Sequence, residues 1–387
     1  MAQVEDPQSL PSARDVVIVG GGVIGRAVAW RCASAGLAVT LVSDDVRRAA
    51  SWAAAGMLAP VTEVHYGEES LLELGLESSR RYPAFVGELE ELTGMDVGYR
   101  QSGTIVAARD QDDNAALEEL HAYQQKLALK AERLKSRDCR ALEPSLSPRV
   151  RGGIFVPGDH QIDNRALLEA LGEACRRSGA VVHEGKVSSV RVQKDRVRGV
   201  ALADGNEIAC EHVVVTAGCW SGSLGGVPAG ALPVRPVKGQ LLHLKGTEEH
   251  PIATHNVRGV DVYLVPRLDG RVVVGATVEE KGFDVSTTAG AAYSLLRDAY
   301  ELMPGVIELE LTEVVAGLRP GSPDNAPLIG ETDVGGLLAA TGHYRNGVLL
   351  TPVTADAIAH TLTEGEPLEI AAPFGPRRFA RIAEAAP

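Results

Sequence analysis

An α/β protein is expected from this chain. A Rossmann-type dinucleotide-binding domain on a parallel sheet is interleaved with a second domain built on a mostly antiparallel sheet. Three features point there: a strand, a glycine loop and a helix in immediate succession near the N-terminus; later buried strands that end in small residues; and a strand-rich stretch at 228–283.

The first feature is Val16-Val17-Ile18-Val19-Gly20-Gly21-Gly22-Val23-Ile24-Gly25, followed by the helical segment Arg26-Ala27-Val28-Ala29-Trp30-Arg31. The β-branched apolar run reads as a buried strand. Gly20 permits the sharp turn, Gly22 leaves room for a pyrophosphate to approach the backbone, and Gly25 lets the helix pack closely on the strand. Val23 and Ile24 open a helix whose unpaired N–H groups and positive dipole end suit a phosphate. In such a unit an acid normally ends the second strand and binds the ribose. Here that strand is Ala38-Val39-Thr40-Leu41-Val42, with Ser43 at the expected place and Asp44 and Asp45 after it. The ribose contact is therefore either the Ser43 hydroxyl or the Asp44 carboxylate.

Residues 49–60 are rich in alanine and read either as helix or as bare backbone against which a cofactor lies flush. An amphipathic helix is expected over 68–92, stopped near Thr93-Gly94, then a strand or hairpin at 98–109 and a charged surface helix at 110–134. Asp163 or Asn164 caps a helix at 166–177, and Gly179 stops it. Strand-like segments follow at 181–183, 186–192, 200–202 and 213–218, the last with the small-residue tip that abuts a nucleotide in doubly wound sheets. Strands at 237–244, 260–265 and 271–278, with turns at Gly259 and Leu268-Asp269-Gly270, describe the second sheet. A helix at 291–303, a strand at 337–342 and a final helix near 353–362 complete the chain.

The 387 residues suffice for two domains, and 45% hydrophobic content describes a chain with an ample core. A net charge of −13 argues against nucleic acid or an anionic membrane surface as partner. No apolar run approaches a bilayer span, and residues 1–14 are polar, unlike a secretory signal. Five scattered cysteines without a C-x-x-C pair suit a reducing cytoplasm and neither a disulfide framework nor zinc. The ten histidines show no metal-ligand spacing, so no metal is expected.

Four segments together resemble the flavin-dependent amine oxidases that include D-amino acid oxidase, sarcosine oxidase and glycine oxidase. They are the loop at 20–25; Ala53-Ala54-Ala55-Gly56-Met57; the run at 213–218 with Thr216, Ala217 and Gly218, followed by Trp220-Ser221; and Gly342-His343-Tyr344-Arg345-Asn346-Gly347-Val348-Leu349-Leu350. Val262-Tyr263-Leu264-Val265-Pro266-Arg267 and Ala316-Gly317-Leu318-Arg319-Pro320-Gly321 narrow the likeness to the glycine oxidases of the thiamine pathway. The resemblance covers nearly everything after residue 14. It implies FAD as cofactor and oxygen as electron acceptor.

Oxidising an amino acid at its α-carbon needs a hydride acceptor, a carboxylate anchor and an oriented amine. The planar fork of arginine binds both carboxylate oxygens at once. Arg319, expected on a short rigid turn, matches the family's anchor, and Tyr263 matches the tyrosine that meets the same carboxylate. Arg345 matches an arginine near flavin and substrate, and Met57 is expected to line the pocket against the flavin. The backbone from Asn346 through Val348 and Leu349 would approach the flavin ring, with the following helix stabilising negative charge there. Val187 corresponds to a valine whose backbone meets adenine. His343 is not assigned as a base, because hydride transfer from a neutral amine needs none. The last cysteine is Cys219, whereas the covalent flavoproteins of this superfamily attach FAD through a later one, so FAD is expected to be non-covalent.

The expected activity is oxidative deamination of glycine and other small amines, with D-amino acid or sarcosine oxidation and a non-catalytic flavin subunit as alternatives. The imine product either hydrolyses or feeds a thiazole synthase, and the family tends toward homotetramers. The FAD-binding domain is expected at 14–80, 150–225 and 318–372, the substrate domain at 81–149 and 226–317, and flexible tails at 1–13 and 373–387.

Overall fold

The computed structural model describes residues 14–379; the expected N-terminal lead-in and the last eight residues lie outside them. Arg14–Val19 pairs in parallel with Val39–Ser43 on one side and Glu207–Val215 on the other. Val181–Glu184 and Leu337–Thr341 extend the parallel sheet outward, and Leu328–Glu331 closes one edge antiparallel. The hairpin Val187–Gln193 and Arg196–Leu202 branches off Glu207–Val215. Val16, Ile18, Val39 and Leu41 face one layer of helices and are fully buried. Val17, Val19, Val213 and Val215 face the hairpin's cluster on the opposite side. Such two-faced burial explains why these strands read as unbroken apolar runs and not as alternating ones.

Helices Val23–Ser34, Asn164–Arg177, Thr351–Glu364 and Glu69–Thr93 share the first of these cores. Asp163 caps the second of them, its carboxylate accepting the Arg165 and Ala166 N–H groups. Gly94, at φ +71°, ends the longest one in the left-handed conformation that glycine adopts at least cost. That helix runs across the boundary expected at residue 80, and Tyr82, Phe85 and Leu89 bury it against the nucleotide-domain helices. Its amphipathic stripe is continuous, so no signal in the stripe marks where one domain would end.

The second sheet runs Glu310–Gly321, Arg235–Lys245, Arg271–Gly275, Tyr263–Pro266, Asn256–Arg258, Thr104–Ala108, Gly152–Val156, Glu132–Lys135. All pairs are antiparallel except Asn256–Arg258 with Thr104–Ala108. Five expectations change here. Arg319 lies within the twelve-residue strand Glu310–Gly321 and not on a turn; the strand sits at the sheet edge, where Pro320 is tolerated opposite Pro236. The boundary expected at residue 318 therefore cuts a strand, and Gly152–Val156, placed by sequence in the nucleotide domain, belongs to this sheet. The charged helix ends at Lys126, and Glu132–Lys135 forms the opposite edge strand, where exposed charge disguised it as helix surface. Residues 373–379, expected as tail, continue into short helical turns, with Arg377 donating to the Thr332 carbonyl at 2.6 Å and Arg378 paired with Asp324 at 2.9 Å.

Where the two sheets meet, the chain from Ala50 to Met57 passes between them. It is a single helical turn, Ala50–Ala53, then extended backbone at Ala54 that turns at Gly56, φ +73°, into the short strand Met57–Leu58. Two buried side chains hold that backbone. Asn164 Nδ2 donates to the Ser51 and Trp52 carbonyls, at 2.8 and 3.2 Å. Arg267 donates to the Ala55 carbonyl at 2.7 Å and to Gln161 Oε1 at 2.8 Å.

Backbone crowding at the glycine loop gives a stability test. A Cβ on Gly25 would overlap the Gly20 carbonyl oxygen and lie 2.6 Å from Thr216 Oγ1. Gly87, in the helix Glu69–Thr93, has nothing within 4 Å of the same position. Gly25→Ala is expected to cost ~1–3 kcal/mol by overpacking. Gly87→Ala is expected to gain ~0.5–1 kcal/mol by helix propensity. Denaturant midpoints of the two variants against the parent, moving in opposite directions, check both.

Candidate active site

At the topological switch point a cavity of about 1090 Å³ opens between the sheets, larger than the ~300–1,000 Å³ of ordinary small-molecule sites. One end is the glycine loop. Gly20 takes φ +115°, and Thr216 Oγ1 donates to the Val19 and Gly20 carbonyls at 2.9 and 2.7 Å, fixing the turn. Gly22, Val23 and Ile24 line the wall; Gly25 does not, and acts behind it as a packing position. The Val23 N–H meets Ser51 Oγ at 3.3 Å, so a hydroxyl stands where a helix start faces the cavity.

Farther along this end, Ser43 and Asp44 both line the wall. The Ser43 hydroxyl donates to the Asp44 carbonyl at 3.0 Å, and its side chain fills the space left by Gly21. The Asp44 carboxylate is half exposed, accepting the Asp45 N–H at 2.8 Å with Arg48 at 3.8 Å. Val187 lies here beside Lys186, and Ala217, Gly218 and Trp220 form an adjoining short helical turn. The middle wall is Ala54, Ala55, Gly56 and Met57, where Gly56 takes φ +73°. An extended cradle of glycine and alanine backbone, ending on a helix start, fits a dinucleotide.

The run from His343 through Tyr344, Arg345, Asn346, Gly347, Val348 and Leu349 lines the same cavity and leads into the helix Thr351–Glu364. Tyr344 holds φ +49°, a conformation a non-glycine residue adopts at some cost. His343 is buried, with its Nε2 3.0 Å from Thr354 Oγ1, and burial pushes its pKa down to about 3. It is a neutral hydrogen-bonding group.

The other end belongs to the second sheet. Arg319 NH1 donates to the Thr277 carbonyl at 3.1 Å and lies flat over Gly239, where a Cβ would collide with the guanidinium. Tyr263 likewise lies over Gly275. Burial raises the Tyr263 phenol, against the neighbouring Arg319 charge, so the hydroxyl remains a donor. Met57 packs in the same small apolar cluster as Tyr263. Arg345 is committed to the chain's own acids: NH2 lies 2.7 Å from Glu68 and Nε 3.6 Å from Glu63. The structure thus gathers every sequence-derived candidate except Gly25 on one wall system.

It adds residues the sequence did not single out: Arg48, Ser51, Lys186, Glu63 and Arg258, all lining the cavity. Ser51 was hidden between alanines, and Arg258 alternates with buried neighbours on a three-residue strand too short to show a pattern. Among the described residues no group of three or more His, Cys, Asp and Glu side chains is arranged to hold a metal, and no helix is long and apolar enough to cross a membrane.

His343 makes acid stability testable. The unfolded chain takes up this proton near pH 6.5, whereas the folded imidazole resists it down to about 3. Stability from this site is complete above ~6.5 and lost as pH falls toward 3, at up to ~1.4 kcal/mol per pH unit. His343→Gln is expected to narrow the difference in unfolding midpoint between pH 7 and pH 4.5.

Comparison with known proteins agrees with this geometry. A family model described as DAO, FAD dependent oxidoreductase, matches residues 15–361. A bifunctional ThiO/ThiG protein of Trichormus variabilis is 35% identical over 97% of this chain, which covers 56% of that protein. The chain spans about half the length of the bifunctional relatives it matches. A glycine oxidase of Pseudomonas putida is 34% identical, with 94% of this chain and 98% of that one covered. The crystal structure of glycine oxidase from Geobacillus kaustophilus superposes with a TM-score of 0.87 at 31% identity, covering 94% of this chain and 98% of that chain. This chain belongs to the DAO family of FAD-dependent oxidoreductases.

Proposed function

We propose that the protein is an FAD-dependent oxidase of glycine and other small amines such as sarcosine and D-alanine. The observation that carries this reading is Arg319. Its guanidinium is held flat on Gly239 by the Thr277 carbonyl, beside the Tyr263 hydroxyl, and meets no acid among the described residues. An arginine fixed at one edge and open at the other, next to a phenol donor, is a carboxylate receptor. Bound FAD supplies a hydride acceptor that dioxygen re-oxidises with formation of hydrogen peroxide. The chain's own part is to anchor the substrate carboxylate through Arg319 and Tyr263 and present its α-carbon to the middle wall at Ala55, Gly56 and Met57. The imine then leaves for hydrolysis to glyoxylate and ammonia, or for a thiazole synthase. The fused relatives support that second fate. FAD is held non-covalently; Cys219, the cysteine on the cavity wall, is buried with its thiol pushed up to about 12. The remaining cofactor contacts are those lining the cavity from the glycine loop to Leu349, with the ribose at Ser43 or Asp44. A homotetrameric, cytoplasmic enzyme completes the proposal.

Mixing the FAD-loaded protein anaerobically with glycine, sarcosine or D-alanine is expected to bleach the flavin absorbance; no bleaching by any of the three refutes an oxidase. Hydrogen bonds to charged groups are worth ~1.5–3 kcal/mol each. Arg319→Ala, losing two, is therefore expected to cut kcat/KM for glycine by roughly 10²–10⁴, while FAD stays bound. Tyr263→Phe, losing one, is expected to cut it by about 10–100-fold. Stopped-flow reduction of each variant separates these losses from loss of FAD.

A further inference from the structure

Three arginines reach the second-sheet end of the cavity, and they are not equivalent. Arg319 meets backbone carbonyls and, among the described residues, no acid. Arg258 NH1 lies 2.7 Å from Glu63 Oε1. Arg345 NH2 lies 2.7 Å from Glu68 Oε2, with its Nε 3.6 Å from Glu63 Oε2. Glu63 therefore turns one oxygen to each of two arginines that rise from different parts of the fold: a second-sheet strand and the loop before the last helix. Arg258 is the cross-strand partner of Tyr263, so its side chain stands beside that phenol on the same face. None of the four charged groups is more than a quarter exposed, so their attraction is weakly screened.

We infer that Glu63 is a specificity-determining residue: by neutralising Arg258 and Arg345 it keeps the chamber a one-carboxylate site and rejects amino acids that carry a second acid. The inference rests on reading Arg319 as the anchor of the substrate carboxylate. Arg258, Arg345, Glu63 and Glu68 sum to zero charge. A second substrate carboxylate has either to displace Glu63, stranding a partly buried anion, or to lie beside it and be repelled. Glycine has no group that reaches this cluster. Without the Glu63 charge, Arg258 becomes an unpaired guanidinium on the chamber wall, and a second carboxylate can satisfy it by a charge-assisted pair.

Binding of carboxylic acids to the FAD-loaded protein, read from the perturbed visible flavin spectrum, tests this without turnover. Malonate, succinate and glutarate are each compared with the monoacid of equal chain length: propionate, butyrate and valerate. The parent protein is expected to bind every diacid more weakly than its monoacid; equal or tighter binding overturns the inference, and this comparison decides even if no variant folds. In Glu63→Gln the best diacid is expected to gain at least tenfold relative to its monoacid, and iminodiacetate a similar factor over glycine in kcat/KM. Adding Arg258→Gln is expected to remove that gain. An unchanged ratio in Glu63→Gln, or a gain that survives the second substitution, overturns it. Failure of the oxidase reading is a separate result, visible as absence of anaerobic bleaching of the parent protein by glycine.

Discussion

The architecture depends on a buried guanidinium. Between the two sheets Ala54 and Ala55 belong to neither, so no strand pairing satisfies the Ala55 carbonyl, whereas the Gly56 carbonyl accepts the Ile162 N–H at 2.9 Å. Arg267 supplies the missing donor to the Ala55 carbonyl from the end of a second-sheet strand. Burial in that position lowers the Arg267 pKa to about 10, against the raising effect of Asp163, which still leaves it charged at neutral pH. Its partner Gln161 lies on the strand that pairs with Met57, and Arg267 also donates to Oδ1 of Asn164 at 3.5 Å, whose Nδ2 holds the Ser51 and Trp52 carbonyls. An unmet carbonyl there would cost ~1–3 kcal/mol, and the wall that faces the cofactor would have nothing to fix its distance from the second sheet.

Small residues do the complementary work. Gly317 brings the edge strand so near the turn at Ala50–Ala53 that a Cβ would stand 2.7 Å from the Ala53 Cβ. Gly239 and Gly275 leave flat floors for Arg319 and Tyr263. The nucleotide loop uses the same device at Gly20 and Gly25. In each place the neighbouring group approaches more closely than a side chain would allow. The cavity is thus shaped as much by missing Cβ atoms as by the groups that line it.

Charge is partitioned along this cavity. The nucleotide end presents backbone N–H groups, Arg48 and Lys186 together with the acids Asp44 and Asp45. The opposite end carries three arginines, of which Glu63 and Glu68 engage two. Arg319 is thus the one of the three whose guanidinium meets no acid among the described residues. His343, on the cavity wall, contributes no charge because burial keeps it neutral.

Much of this was legible from the residues alone. The run Val16 to Gly25 specifies its strand, turn and helix locally, because chain direction there is dictated by β-branching, positive φ and helix start signals within ten residues. The family motifs at 53–57, 262–267, 316–321 and 342–350 were recognisable for the same reason: each is a short segment whose residue types are constrained by what touches them. Only the tertiary structure placed Arg319 in an edge strand, because Gly317, Pro320 and Gly321 have turn composition and only pairing with Arg235–Lys245 reveals an extended ladder. It likewise decided that Glu69–Thr93 packs across the expected domain boundary, and that Glu63 stands between Arg258 and Arg345, which lie 195 residues and 282 residues from it. Local conformational preference is written in neighbouring residues; which charges meet is settled by long-range packing, where sequence separation carries no information about distance.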